Sequence, residues 1–206
     1  MLETHQPPDV SLMRLNWKGT LVNPINSLFS LASGIAGEPY LNTKQSVLWI
    51  ITGARGAGKT SLCQSLVSQV RAMGISLGGV LSAAKMAGDQ KVGFILEDLK
   101  TGEQQLLGMR EASQTHMLAV GCWYFDPDVL AWGNECLQSA AGSDVVIFDE
   151  CGFLELDHGA GFQSGLALID SQEYSIGVVV VRPSLMAIAQ QRWPDSVVID
   201  LDRRQS

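Results

Sequence analysis

Lys59, Thr60 and Ser61 close the stretch GARGAGKTS, in which three glycines precede a lysine and two hydroxyls. Gly53-Ala54-Arg55-Gly56-Ala57-Gly58-Lys59-Thr60 satisfies G-x-x-x-x-G-K-[ST] at every fixed position. Glycines let such a loop turn its backbone N–H groups inward around a phosphate, and a helix starting near Lys59 adds the positive end of its dipole. The pattern predicts that Lys59 bridges the β- and γ-phosphates of a nucleoside triphosphate and that the Thr60 hydroxyl ligates Mg²⁺. Ser61 is expected at the α-phosphate. The alternative, a purely structural glycine-rich turn, is disfavoured by the full match and by the strand-then-helix context.

A second pair of groups lies about ninety residues later, where the apolar run VVIFDE ends in Asp149 and Glu150. An apolar strand ending in acids is common by itself, but paired with a phosphate loop it reads as a Walker B pattern. Asp149 is then expected to hold Mg²⁺ through its water shell, and Glu150 to orient or deprotonate an attacking water. Glu150 has a second reading, as an acid exposed at a strand end. Arg182 follows a run of four valines, at the carboxyl end of an expected parallel strand, where open α/β sheets bind ligands. It reads either as an internal arginine finger or as a surface residue opening the turn before Pro183. Arg55 covers the phosphates or points to solvent.

The elements that must position these groups are legible in the apolar pattern. SVLWIIT reads as a strand buried on both faces, and the segment after the loop sets Leu62, Leu66, Val70 and Met73 on one helical stripe that stops at Gly74. GGVLSA and KVGFILEDL read as strands joined by a turn at AGDQ, and a further strand over EQQLLGM makes a meander. Asp126-Pro127 predicts a helix start and a helix to about Ala140. DVVIFDE, SIGVVVVR and SVVIDL then read as strands, with helices over GFQSGLALIDS and PSLMAIAQQRW between them. Such alternation means βα units and a mostly parallel sheet with right-handed crossovers. Trp123, Tyr124 and Phe125 read as core packing rather than a base-stacking platform.

Residues 1–45, with Pro7, Pro8, Pro24 and Pro39, read as an extension ahead of a core domain at 46–206. A short amphipathic helix near Ile25 to Ala32 is expected within it, in an arm that packs on the domain or on a neighbouring subunit. The chain has 206 residues and a net charge of −7, which argues against sequence-independent nucleic-acid binding. It has no apolar run long enough for a membrane span and no signal-peptide pattern near Met1, so a cytoplasmic protein is expected. Cys63, Cys122, Cys136 and Cys151 form no CxxC pair and read as buried reduced thiols. With His5, His116 and His158 scattered, a zinc site is not expected.

With both phosphate motifs in view, the sequence resembles the small P-loop NTPases called cancer-related nucleoside-triphosphatases. The resemblance rests on GARGAGKT, on GGVLS, on KVGFILEDLKTGE, on the VG before Trp123-Tyr124, and above all on DECGFLEL at Asp149 to Leu156. That block is similar to the family's D-E-[IL]-G-x-x-E-L, with Gly152 and Glu155 matching. The resemblance runs from Val47 to about Leu201. It implies a three-layer α/β fold of the P-loop NTPase, RecA-like kind, with a mostly parallel sheet and an antiparallel strand insertion. It further implies Mg²⁺-dependent hydrolysis of ATP, GTP and other nucleoside triphosphates, metal binding by Asp149, water activation by Glu150, and a place for Glu155 in the site. Glu155 also reads as an acid favoured by a helix start. Ala83, Ala84, Lys85 and Met86 stand where many relatives carry acids and an arginine.

The leading expectation is therefore a nucleoside-triphosphate hydrolase that uses Lys59, Glu150, Mg²⁺ and Arg182. Neither an [NT]-K-x-D guanine signature nor an adenine clamp appears, which fits loose choice between ATP and GTP. Two rivals stand beside it. One is a small-molecule kinase, weakened by the lack of a lid of closely spaced arginines. The other is a nucleotide-controlled binding module in which the acidic domain and the N-terminal extension engage a protein partner or a second copy.

Overall fold

The structure is a computed structural model, and it describes residues 46–111 and 117–202. The N-terminal extension, with its expected helix, lies outside the described residues. In chain order the elements begin with β1 (Val47–Thr52), α1 (Lys59–Ala72), β2 (Leu77–Ala87), β3 (Gln90–Asp98), β4 (Gln104–Met109), β5 (Leu118–Val120), β6 (Trp123–Phe125) and α2 (Pro127–Ser139). They continue with β7 (Val145–Cys151), a single turn α3 (Phe153–Leu156), α4 (Gln163–Ser171), β8 (Ile176–Val181), a 3₁₀ turn at Pro183–Leu185, α5 (Met186–Arg192) and β9 (Val197–Asp200).

The valine and isoleucine runs form the centre of the sheet because both of its faces are covered. Side chains alternate along a strand, so each run divides between two cores. Trp49, Ile51, Val145, Ile147, Val178 and Val180 face Val67 and Val70 of α1. Ile50, Val146, Phe148, Val179 and Val181 face the opposite layer, with Leu137 of α2 and Leu166 and Ile169 of α4. Ile50, Ile51, Ile147 and Phe148 are fully buried, and each such side chain contributes about 2 kcal/mol in transfer free energy. The result is a three-layer α/β sandwich.

Among the described residues the strands form one nine-stranded sheet in the order β5-β6-β4-β3-β2-β7-β8-β1-β9. From β2 to β9 every neighbouring pair is parallel, and β3, β4, β6 and β5 extend the β2 edge as antiparallel strands. One strand, β8, separates the loop strand β1 from the acid-bearing β7. The meander predicted over residues 78–109 is thus an extension of the main sheet. Its aromatic strand β6 packs inward, with Trp123 edge-on to Phe94 at 4.7 Å between ring centroids.

Gly79, in the GGVLS stretch, explains how β2 docks on β7. It has φ 99°, and a Cβ there would lie 2.0 Å from the Ile147 carbonyl oxygen. Only glycine permits this approach, which seats Ser82 beside the end of β7. One sequence expectation fails: Cys63, Cys136 and Cys151 are buried, but Cys122 is exposed. It sits in the tight turn between β5 and β6, where a side chain has no layer above it.

Candidate functional site

The loop between β1 and α1 turns through Gly53, Gly56 and Gly58, all with positive φ. No atom lies within 4 Å of where a Cβ would stand at Gly56 or Gly58, so it is their positive φ, not crowding, that calls for glycine there. Lys59 folds back over it. Its Nζ donates to the carbonyl oxygens of Gly53 at 2.6 Å and Ala54 at 2.8 Å. These bonds hold the ammonium at the mouth of the loop instead of in solvent, which preorganises it for an anion. Arg55 and Ser61 are exposed, and Ala57 and Thr60 are half-buried.

Asp149 stands across from the loop and is fully buried. Its Oδ2 accepts a hydrogen bond from the Thr60 hydroxyl at 3.4 Å and one from the Ser82 amide at 3.3 Å. Its Oδ1 is buried with no partner among the described residues, as is the Ser82 Oγ. Burial raises the Asp149 pKa to about 7, and the neighbouring Glu150 carboxylate adds to the rise. Glu150 itself has φ 66°, an unusual conformation for a residue with a side chain. The pairing of β7 with β8 shifts register between Phe148 and Cys151, so both acids sit in the irregular end of the strand. This local deformation directs Glu150 out of the sheet and into the cleft, whereas Asp149 stays inside.

The cleft has a volume of about 260 Å³ and is lined by Thr60, Ser61, Ser82, Lys91 and Glu150, among others. Ala83 and Ala84 also line it, while Lys85 and Met86 are exposed. The predicted groups Lys59, Thr60, Asp149 and Glu150 are therefore gathered at one end of the sheet. Arg182 joins them at the rim: its guanidinium lies 3.9 Å from the Glu150 carboxylate, and its side chain is 59% exposed. At that exposure the ion pair contributes little to stability.

Glu155 occupies a different place from the cleft. Its Oε2 accepts from the Gly152 amide at 2.8 Å and its Oε1 from the Phe162 amide at 2.9 Å. Both carboxylate oxygens are thereby used to clasp the loop that follows β7. Burial raises its pKa, and the two amides pull the other way. Two residues in or beside the site have no counterpart in the motif reading. Lys91 of β3 lines the cleft, and Asp202, just beyond β9, accepts from the Ala54 amide at 2.7 Å through Oδ2. A lysine opening a strand and an acid after one carry no spacing signal, so neither is legible in the sequence.

The donor set fits a hard divalent cation. A hydroxyl and a carboxylate lie within 3.4 Å of each other, and the buried carboxylate keeps one oxygen unpartnered. Oxygen ligands of this kind suit Mg²⁺. Among the described residues no cluster of three or more His, Cys, Asp or Glu side chains is placed to hold a metal by protein ligands alone. Magnesium sites on phosphate-binding enzymes draw much of their coordination from substrate and water, which agrees with so sparse a set.

The NTPase family model matches residues 49–206. A nucleoside-triphosphatase THEP1 from Methanopyrus kandleri is 30% identical over 152 residues, spanning 72% of this chain and 82% of its own. One from Caldivirga maquilingensis is 28% identical over 130 residues, spanning 63% and 73%. Among solved structures, a human cancer-related nucleoside triphosphatase superposes with a TM-score of 0.56 at 20% identity, covering 76% of this chain and 88% of that one. THEP1 from the hyperthermophile Aquifex aeolicus does so with a TM-score of 0.55 at 22% identity, covering 77% and 92%. At these identities the structural likeness concerns the fold.

Proposed function

The chain belongs to the NTPase family, and on that premise we propose that it is an Mg²⁺-dependent hydrolase that converts nucleoside triphosphates to the diphosphate and inorganic phosphate. It accepts ATP and GTP with loose base preference. The observation that carries the reading is the meeting of Thr60 with Asp149, 3.4 Å apart, beside a cleft into which Glu150 opens.

In this reading the amides of Gly56 to Thr60, with Ala54 and Arg55 shaping the turn from Gly53, wrap the β-phosphate, Ser61 meets the α-phosphate, and Lys59 turns from its loop carbonyls toward the β- and γ-oxygens. Thr60 and Asp149 hold Mg²⁺, which when bound neutralises charge on those oxygens. Glu150 orients a water in line with the γ-phosphorus. The water oxygen forms the new P–O bond as the bond to the β,γ-bridging oxygen breaks. The electron pair of that bond leaves with the diphosphate, and the water proton passes to Glu150 and on to phosphate. Arg182, at the rim beside Glu150, contributes positive charge as the transition state develops. Asp149 must be ionised to bind a cation, so Mg²⁺ affinity should rise through neutral pH.

The direct test is phosphate release with Mg-ATP and Mg-GTP by the wild-type chain and by Lys59→Ala. A fall of about 10²-fold or more, and loss of activity with a chelator, are expected. Unchanged release by Lys59→Ala rejects the reading.

The same reading makes residues 46–206 the catalytic domain and residues 1–45 an extension that engages a protein partner or a second copy, in a cytoplasmic protein. The family match beginning at residue 49 supports the division. Among the described residues no helix is long and apolar enough to cross a membrane. A chain lacking residues 1–45 should hydrolyse at the wild-type rate but migrate as a smaller assembly in sedimentation, whereas a matching loss of rate would count against the boundary.

A further inference from the structure

Of the side chains that line the cleft, Lys91 is the one that carries positive charge. Lys59 approaches the phosphates from the loop side, where its Nζ rests on the loop carbonyls, and Arg182 lies at the rim against Glu150. Lys91 lines the same cleft as Thr60, Ser61 and Glu150, so a triphosphate held by Thr60 and Ser61 with its terminal group toward Glu150 would extend into the space that Lys91 borders. Among the described residues its ammonium has no carboxylate within ion-pair distance. It rests instead on an aromatic floor, 3.6 Å from the centroid of Phe94 and 5.8 Å from that of Trp123. Burial lowers its pKa, and of the surrounding charges Glu150 and Asp149 oppose that shift while Arg55 and Arg182 add to it; these are the groups around the expected phosphate path. A half-buried lysine held on rings, facing a polar cleft, is poised for an anion that the resting protein does not supply.

We propose that Lys91 is a catalytic residue that contacts the terminal phosphoryl group of the bound nucleoside triphosphate and makes the site distinguish triphosphate from diphosphate. This rests on the reading of the cleft as a triphosphate site, and it gives the antiparallel extension a chemical task. The β2–β3 hairpin carries a cation to the γ-phosphate from the side opposite the loop. The positive charge of Lys91 offsets the negative charge on the γ-oxygens while water attacks and the β,γ-bridging bond breaks. Placed there it strengthens as charge develops, so it acts on turnover more than on diphosphate binding.

The test uses the full chain with Lys91→Met, which keeps an unbranched stem over Phe94 without the charge, and Lys91→Arg. Lys91→Gln serves as a second neutral variant should Lys91→Met fold poorly. Affinities for ADP and for β,γ-imido-ATP, each with Mg²⁺, are measured by calorimetry beside steady-state hydrolysis. The neutral variant should bind ADP within about twofold of wild type, lose about tenfold in imido-ATP affinity and fall about 10²-fold in kcat, with Lys91→Arg recovering most of both. An unchanged ratio of triphosphate to diphosphate affinity, or an equal loss of both, overturns the proposal. The affinity ratio does not depend on turnover. If wild type and Lys59→Ala release phosphate equally while Lys91→Met still loses the ratio, the hydrolase reading and the catalytic role fall, and the contact of Lys91 with the terminal phosphoryl group stands.

Discussion

Thr60 and Asp149, 89 residues apart in the chain, meet with the threonine hydroxyl 3.4 Å from the buried carboxylate. The helix that starts at Lys59 and the strand that ends at Cys151 are brought together here, and the contact couples the phosphate loop to the strand carrying the acids. Because the remaining oxygen of Asp149 is buried and unpartnered, the protein holds this carboxylate at a cost unless something neutralises it.

That cost has a pH signature in the metal-free protein. The Asp149 pKa is raised from 3.8 to about 7, mainly by burial. Between those values the native state keeps the proton and the unfolded chain has lost it, so stability falls as pH rises through the window and is lowest above about pH 7. The full effect is about 4 kcal/mol. Asp149→Asn removes it. In urea titrations with chelator, the stability of Asp149→Asn relative to wild type should grow from pH 4 to about pH 7 and then level off, and a constant difference across that range would contradict the burial argument.

Glu150 separates stability from function. At φ 66° its backbone is in the left-handed region, which costs about 1 kcal/mol or more for a residue with a Cβ. Glu150→Gly should relieve that strain and unfold at an equal or higher temperature, yet lose hydrolysis by about 10²-fold or more. Glu150→Gln should lose hydrolysis similarly while triphosphate affinity is kept. Calorimetry and phosphate release together check both halves.

Glu155 should behave as a structural clasp. Removing its carboxylate leaves the Gly152 and Phe162 amides without their acceptor, a loss of about 3 kcal/mol. Glu155→Gln, which retains one acceptor oxygen, should lose less. Hydrogen exchange at Phe162 reports the clasp directly, and it should speed up in Glu155→Ala before the rest of the sheet does.

Gly79 offers the sharpest packing test. A methyl group there meets the Ile147 carbonyl at 2.0 Å, and neither strand can yield without breaking the β2–β7 pairing. Gly79→Ala should destabilise the domain by about 3 kcal/mol or more, read as a lower urea midpoint. Weaker Mg²⁺-dependent nucleotide binding should accompany it, since Ser82 reaches Asp149 from the same strand.

The chain announces its phosphate loop, its acid-ended strand and the alternation of strands and helices, because these are local. A glycine-rich turn before a helix is written in nine adjacent residues, and a strand buried on both faces is written as an unbroken apolar run. The valines of Ile176–Val181 could be read as a central strand without knowing their neighbours. Tertiary structure alone decided the rest. Which strand lies between β1 and β7, the turn of Glu150 into the cleft, the closing of Glu155 on its own loop, and the arrival of Lys91 are set by pairings between distant segments. Asp202 reaches the Ala54 amide across 148 residues. Such contacts depend on where the sheet's register and the two packed faces bring backbone and side chains together, and a single acid or lysine carries no periodic mark of that destination.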